Sequence, residues 1–153
     1  MQFILILLLS LITAPLFGQV DGKGIYCDFD TASDVTKISV YAGGKLHGID
    51  SKKIKIGFFF SEGKVFGIFP YIEEDIAFFS KGSRGFEYKT NADYITWDDS
   101  TSLSRKTLLL TDDNIGKIQC EVFASQFLFD KETDRLRELI QNEYENRLTG
   151  NKI

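Results

Sequence analysis

Three consecutive phenylalanines at positions 58–60 constrain the fold of this chain more than any other feature. They belong to an apolar run at 54–60, which the polar connection 61–64 (including Gly63) joins to a second apolar run at 64–69. Two runs rich in β-branched and aromatic residues around a short polar connection predict a β-hairpin. Because the alternation of apolar and polar residues fails at the phenylalanines, both faces of this hairpin must be covered by other parts of the chain.

The other predicted strands are also short, and Gly, Asn, Asp and Ser separate most of them. This pattern predicts a mainly β fold over residues 19–129, an antiparallel β-sandwich or small barrel of about eight to nine strands. The predicted strands are 24–29, 35–41, 54–60, 64–69 (ended by Pro70), 76–80, 85–89, 94–98, 105–110 and 117–124.

After residue 129 the apolar spacing changes, and it predicts a C-terminal helix at 130–150 that packs on the same domain. Asp130 is the predicted N-cap and Gly150 the C-terminal stop. A helix lying on the sheet would supply the second cover that the hairpin needs. The alternative is that its apolar face docks a partner protein or a membrane surface. The predicted face consists of Leu136, Leu139, Ile140, Tyr144 and Leu148.

The chain begins with a segment, residues 1–18, that has the features of a signal peptide. Its apolar run at 3–12 has the length of a signal-peptide core, and Gly18 offers a cleavage point that leaves Gln19 as the mature N-terminus. The alternative is an uncleaved membrane anchor, but the run is shorter than the about 20 apolar residues that a spanning helix needs. The sequence therefore predicts export to the periplasm or the extracellular space, with no transmembrane segment after cleavage.

Cys27 and Cys120 are the only two cysteines of the chain. They lie in the first and the last predicted strand, so a bond between them would close nearly the whole domain. In an oxidising compartment this usage predicts one disulfide, and the alternative is two buried free thiols.

Composition and charge argue against several classes of function. The net charge is -4 and Lys and Arg are not clustered, so nucleic acid is not an expected partner. With a single His and two Cys, a metal site built on those ligands is not expected either. No metal and no cofactor is predicted.

No catalytic residue is predicted. His47 is the only histidine, and because the sequence contains no nucleophile elbow or other triad motif, it is predicted to be a surface-loop residue. The acidic clusters at 73–75, 98–99 and 112–113 are predicted to be solvated turns, because Asp favours turns. Paired carboxylates for glycosidase chemistry and a calcium site are the alternatives for these clusters.

The aromatic residues of the central hairpin offer a possible ligand site. The chain has 14 phenylalanines, and small barrels can enclose one small ligand. An ordinary close-packed core is the alternative. The candidate residues for an apolar cavity are Phe58, Phe60, Phe66 and Phe69.

Four short motifs, taken in their order along the chain, resemble one known family. They are Tyr26-x-Cys-Asp, Ser83-Arg-Gly-Phe-Glu-Tyr88, Tyr94-x-x-Trp97 and the closing Cys120. Together they resemble the periplasmic inhibitors of C-type lysozyme, which are small disulfide-closed β-barrels. The resemblance implies that a Ser-Gly-x-x-Tyr loop and a neighbouring basic loop block the active site of a lysozyme, with Ser83 and Tyr88 in the first loop.

Two predicted loops, 81–88 and 97–105, are therefore the candidate contact regions for a protein partner. Exposed cations in such loops could steer association with an acidic cleft, although cations on a solvated surface are the alternative. The candidate binding residues are Ser83, Arg84, Tyr88, Trp97, Arg105 and Lys106.

These observations predict an exported, non-enzymatic binding domain whose partner is a protein, with a lysozyme-like enzyme as the specific hypothesis. One alternative is a carrier of an apolar small molecule inside a Phe-lined barrel. The other is a structural component of an envelope or assembly that docks through the helix.

Overall fold

The structure is a computed structural model, and it describes residues 20–28 and 54–150. The predicted signal peptide, the predicted strand at 35–41 and His47 lie outside the described residues. The described elements are β1 (Gly24–Asp28), β2 (Lys55–Ser61), β3 (Lys64–Glu73), β4 (Ile76–Lys81), β5 (Phe86–Thr90), β6 (Tyr94–Trp97), β7 (Thr101–Ser104), β8 (Leu109–Asp112), β9 (Gly116–Phe123) and α1 (Gln126–Gly150).

Eight of these strands close into an antiparallel barrel, which decides between the two predicted β architectures. The neighbours run in the order β2-β1-β9-β8-β7-β6-β5-β3, and a further pairing of β2 with β3 closes the circle. β4 extends the sheet beyond the barrel by pairing with β3. β4 and β5 therefore lie one after the other along β3, and the segment 82–85 connects them.

The predicted hairpin is confirmed as β2 and β3. Its turn consists of Glu62 and Gly63, both with positive φ, as a two-residue hairpin loop of type I′ requires. Phe58 and Phe60 belong to the cluster of side chains inside the barrel. The intervening Phe59 belongs to a second cluster on the outer side, because successive strand residues point to opposite faces.

The outer cluster is covered by α1, which confirms that the helix packs on the sheet. The ring of Phe129 stacks on Tyr26 at a centroid distance of 4.7 Å and lies 5.4 Å from Phe59. A Cβ atom at Gly24 would lie only 2.1 Å from the Phe129 ring, so this glycine permits the close approach of the helix. A hydrogen bond between the hydroxyls of Tyr26 and Thr133 fixes the same contact.

Only part of the predicted helix face is used in this packing. Leu136 and Ile140 are fully buried, whereas Leu148 in the last turn is 46% exposed. The buried residues show that this part of the helix face belongs to the protein's own core. Farther along, Gln141 accepts a hydrogen bond from the backbone N–H of Ala77 at 2.7 Å, which fastens β4 to the helix.

The predicted disulfide between Cys27 and Cys120 is present. The two residues lie directly opposite each other in the pairing of β1 with β9, and both are buried. The bond therefore joins the first and the last of the described strands, β1 and β9, inside the barrel.

Pro70 does not end the second strand of the hairpin, contrary to the sequence prediction. Glu73 and Ile76 flank the two-residue turn between β3 and β4, so they form a hydrogen-bonded pair. The backbone N–H groups of successive strand residues point alternately toward and away from the neighbouring strand. At the position of Pro70, therefore, an N–H would point away from β4. On that side the pairing with β2 has already ended at Ile68. A proline is tolerated at such an unpaired position.

The predicted strand at 105–110 is also wrong. The hydroxyl of Ser104 accepts a hydrogen bond from the backbone N–H of Thr107, and the carbonyl of Ser104 accepts one from the backbone N–H of Leu108. These two bonds close a turn. The chain instead forms β7 before this turn and β8 after it. As a result Arg105 lies at the opposite end of the barrel from Thr101.

The helix begins four residues before the predicted N-cap Asp130. Ser125 is the residue in the capping position, because its hydroxyl accepts a hydrogen bond from the backbone N–H of Leu128 at 3.3 Å. The apolar residues of this first turn, among them Phe127, concealed the start of the helix from sequence analysis.

Candidate binding site

Among the described residues, three neighbouring connections lie at one end of the barrel. They are the segment 82–85, the turn 98–100 between β6 and β7, and the turn 113–115 between β8 and β9. We call this end the mouth and the other end the far end. At the far end lie the β2–β3 turn, the turn 91–93 and the turn 105–107.

A pocket of about 310 Å³ opens at the mouth. This volume lies at the lower end of the range of roughly 300–1,000 Å³ for small-molecule sites. Its residues come from the strands of the barrel wall and from all three mouth connections. We call it the mouth pocket, and it is lined by Phe58, Val65, Gly67, Phe69, Gly82, Ser83, Arg84, Phe86, Trp97, Asp98, Thr101, Asp112 and Ile115.

Aromatic side chains form the inner part of the mouth pocket. The rings of Phe58 and Trp97 lie 5.2 Å apart, and Trp97 is only 3% exposed. A Cβ atom at Gly67 would lie 2.5 Å from the ring of Phe69, so the absence of a side chain at Gly67 leaves room for that ring. Rigid strands therefore position the aromatic part of the pocket.

A buried carboxylate lies in the same pocket. Asp112 is 7% exposed, and its Oδ2 accepts a hydrogen bond from the Thr101 hydroxyl at 2.7 Å. Its Oδ1 accepts hydrogen bonds from the backbone N–H groups of Asn114 and Ile115 at 2.8 and 3.0 Å. The prediction of a solvated turn is therefore wrong for Asp112, because the β8–β9 turn folds around this carboxylate and buries it.

Asp98 plays the equivalent part in the β6–β7 turn, but it stays exposed. Its Oδ1 accepts hydrogen bonds from the backbone N–H groups of Ser100 and Thr101, both at 2.9 Å. The residue adopts a positive φ of 45°, which Asp tolerates better than most residues. The prediction of a solvated turn is confirmed at this position.

The cation of the mouth pocket is Arg84, at the exposed rim. Its guanidinium lies 5.6 Å from the centroid of the Phe86 ring, a cation–π distance. Within residues 20–28 and 54–150, no carboxylate forms an ion pair with Arg84.

The structure separates the six predicted contact residues into two groups. Ser83, Arg84 and Trp97 line the mouth pocket. Arg105 and Lys106 lie at the far end, where Arg105 donates to the carbonyl of Asn91 at 2.8 Å and Lys106 pairs with Asp93 at 2.7 Å. The two predicted contact loops are therefore only partly brought together.

The sixth predicted contact residue, Tyr88, points into the barrel. Its ring lies 5.4 Å from that of Phe60, and its hydroxyl donates a hydrogen bond to Asp21 at 2.9 Å. Burial, together with this hydrogen bond to a carboxylate, raises the pKa of Tyr88 to about 12. Asp21 also accepts a hydrogen bond from the backbone N–H of Gly63, so Tyr88 helps to hold the first described segment against the far end.

The four phenylalanines predicted to line one cavity do not share one. Phe58 and Phe69 line the mouth pocket, whereas Phe60 lines a separate pocket of about 200 Å³ at the far end. Phe66 lines neither of these two, and its ring lies beneath the Nζ of Lys81 at 3.9 Å. The ring of Trp97 contacts those of Phe58 and Phe60, at centroid distances of 5.2 and 5.8 Å.

Sequence reasoning missed Thr101 and Ile115 as pocket residues. The spacing of Asp112, Asn114 and Ile115 indicates a turn in which a carboxylate caps backbone N–H groups. Nothing in that spacing shows that the turn closes over a pocket, because the neighbouring walls come from distant parts of the chain.

In the ranges 20–28 and 54–150, no group of three or more His, Cys, Asp or Glu side chains is arranged to hold a metal ion. In the same part of the chain, no helix is both long enough and apolar enough to cross a membrane.

No protein-family model, curated protein or solved structure matches this chain. The similarity to lysozyme inhibitors therefore rests on the four sequence motifs, and it stays a prediction.

Proposed function

We propose that this protein is an exported, non-catalytic binding domain and that its ligand enters the mouth pocket. The observation that carries the proposal is the pocket itself: Phe58, Phe69 and Trp97 provide an apolar interior, and loop residues form its rim. Apolar pockets with a few polar groups at defined positions are typical of ligand sites. This corresponds to the carrier alternative of the sequence analysis.

The disulfide supports export, because such bonds persist in oxidising compartments and are rare in the cytosol. The hydrogen bonds of Asp112 support a non-catalytic role. Both of its carboxylate oxygens already serve to hold the β7 strand and the β8–β9 turn in place.

Trp97 provides the test, since it is the only tryptophan of the chain and it lines the mouth pocket. We expect the neutral apolar dye N-phenyl-1-naphthylamine to quench Trp97 fluorescence saturably. Gly82→Phe should abolish this binding, because a Cβ atom there meets its neighbours at ordinary contact distances of 3.5 Å and beyond, so the ring can enter the pocket. Gly150→Phe, at the end of the helix, is the matched control and should bind like the natural protein.

Either of two results would contradict this proposal. One is the absence of saturable quenching in the natural protein. The other is equal dye affinity in Gly82→Phe and Gly150→Phe with both variants folded, as judged by circular dichroism. Native mass spectrometry of protein purified from its host gives an independent check, because a bound small molecule should appear as an added mass.

Inhibition of a lysozyme is the second candidate function, and one observation favours it. Ser83 and Arg84 are both exposed on the segment 82–85 and adjoin the β6–β7 turn at the mouth. A partner could therefore contact both connections at once, but not Arg105 or Lys106 at the far end. Tyr88, which the resemblance places in the blocking loop, is engaged with Asp21 instead.

This second candidate is tested by inhibition assays on lysozymes of several structural types. We expect Ser83→Ala combined with Arg84→Ala to weaken inhibition, whereas Arg105→Ala combined with Lys106→Ala should leave it unchanged. An absence of inhibition by the natural protein at micromolar concentration would discard this function. Full inhibition by the variant that combines Ser83→Ala with Arg84→Ala would show that these mouth residues do not contribute to inhibition of the lysozyme.

A further inference from the structure

We propose that the mouth pocket selects organic cations, such as an alkylammonium group or a lysine side chain of a partner. This inference rests on the proposed function, since it names the chemical class of the ligand that enters the same pocket. Aromatic side chains and carboxylates surround the pocket together, and both attract cations.

The aromatic contribution comes from four rings. An ammonium group placed over the face of an aromatic ring is attracted by the negative charge density of that face, and Trp provides the strongest such site. Several rings around one pocket form the kind of aromatic cage that recognises quaternary ammonium and methyl-lysine groups. The rings that line the mouth pocket are Phe58, Phe69, Phe86 and Trp97.

The balance of charges points the same way. Two carboxylates, Asp98 and Asp112, line the pocket against one guanidinium, Arg84. In the described ranges 20–28 and 54–150 no cation forms an ion pair with Asp112. Its hydrogen bonds come from neutral donors, so its charge is not cancelled.

The positions of these charges strengthen the preference. Asp112 is 7% exposed, and solvent and salt therefore screen its field weakly inside the pocket. Arg84 is exposed at the rim, where screening by water and salt is strong. The guanidinium is also drawn toward the ring of Phe86, so it can form part of the rim while a ligand cation occupies the interior.

Three ligands with the same octyl chain test this inference: octyltrimethylammonium, octanol and octanoate, each titrated against Trp97 fluorescence. We expect the cation to bind most tightly, the alcohol next and the carboxylate least, with about a tenfold difference between cation and carboxylate. The difference should persist at high ionic strength, because salt screens the field of the buried Asp112 carboxylate only weakly.

Asp98→Asn is the decisive variant, because the amide oxygen keeps the hydrogen bonds of the turn while the charge is lost. It should reduce the affinity for the cation by about twofold, because water and salt screen this exposed carboxylate, and leave octanol unchanged. Asp93→Asn, which removes a carboxylate at the far end, is the matched control and should change neither affinity. Arg84→Gln should strengthen binding of the cation.

The remaining outcomes are distinguishable. Binding of all three ligands with equal affinity, or with octanoate tightest, would overturn the selection of cations and leave the mouth pocket as a binding site. An equal effect of Asp98→Asn and Asp93→Asn would overturn the assignment of the preference to this pocket. Failure of every ligand and of the naphthylamine dye to bind would overturn the proposed function itself.

Discussion

The two sides of the wall formed by β1, β2 and β3 differ in how completely they are covered. On the outer side, Tyr26 and Phe59 lie under Phe129 of the helix and are buried. On the inner side, Phe58 packs against Trp97 but leaves about 310 Å³ open at the mouth. The comparison indicates that the outer side is closely packed under the helix, whereas the inner side at the mouth has space for a ligand. Substitutions on the two sides should therefore differ in what they change.

The largest effect is expected on the outer side. Phe129→Ala should lower the free energy of unfolding by about 3–5 kcal/mol, because it removes a large ring that packs on Tyr26 and Phe59 and leaves a cavity. Phe127→Ala is the matched control, since this residue is 73% exposed, and it should stay within about 0.5 kcal/mol. Urea denaturation measures both. Equal costs for the two variants would show that the helix does not stabilise the wall.

Removal of the disulfide should come next. Cys27→Ser combined with Cys120→Ser should cost about 2–4 kcal/mol, because the bond closes a long loop, with a sequence separation of 93 between its cysteines, and so restricts the unfolded chain. Denaturation with and without dithiothreitol supplies the control. The reductant should destabilise the natural protein and leave the double variant unchanged. A double variant as stable as the oxidised protein would contradict this expectation.

A smaller effect is expected at the mouth. Thr101→Val should cost about 1–3 kcal/mol, because it removes the hydroxyl that donates to the buried carboxylate of Asp112. Thr107→Val, in an exposed turn, is the control. Calorimetric or chemical unfolding of both variants measures the difference. Equal stabilities would show that the Asp112 carboxylate is not held in the way its contacts indicate.

The smallest effect depends on pH and concerns the far end. The pKa of Tyr88 is raised to about 12 in the folded protein, whereas a tyrosine in the unfolded chain titrates near about 10. The contribution of Tyr88 to stability is therefore complete below pH of about 10 and is lost as the pH rises through about 12. We expect this contribution to be about 0.5–1 kcal/mol, as for one hydrogen bond.

Comparison with Tyr88→Phe measures that contribution. The stability difference between the natural protein and this variant should be constant below pH of about 10 and shrink above it. Absorbance at 295 nm should show the delayed ionisation, and Tyr94→Phe, at an exposed position, serves as the control. A difference that stays constant through pH of about 12 would contradict the assignment.

Patterns local in sequence predicted most of the fold. Phe58, Phe59 and Phe60 required two covers, and the structure provides the barrel interior and the helix. The predicted pairing of Cys27 with Cys120 is likewise present. The two covers were predictable because strand alternation and helical spacing depend only on nearby residues. The disulfide was predictable because the chain has only two cysteines and the predicted compartment is oxidising.

The mouth pocket could not be predicted in the same way. Its rim combines residues from three connections that meet only when the barrel closes, such as Arg84, Asp98 and Ile115. The turn closed by Ser104 places Arg105 and Lys106 at the far end. The sequence prediction had no turn at this point, and a turn reverses the direction of the chain. Sequence could suggest Ser83, Arg84 and Trp97 as candidates, but not which of them share a pocket.

The position of β1 between β2 and β9 has a consequence for the order in which the protein can assemble. A chain that is made or threaded across a membrane from its N-terminus presents β1 early, but one neighbour of β1 arrives only with Gly116–Phe123. Until then Cys27 has no partner thiol and the circle of strands cannot close. Contacts so distant in sequence form slowly. The barrel can therefore close only after β9 has formed, late in the synthesis of the chain.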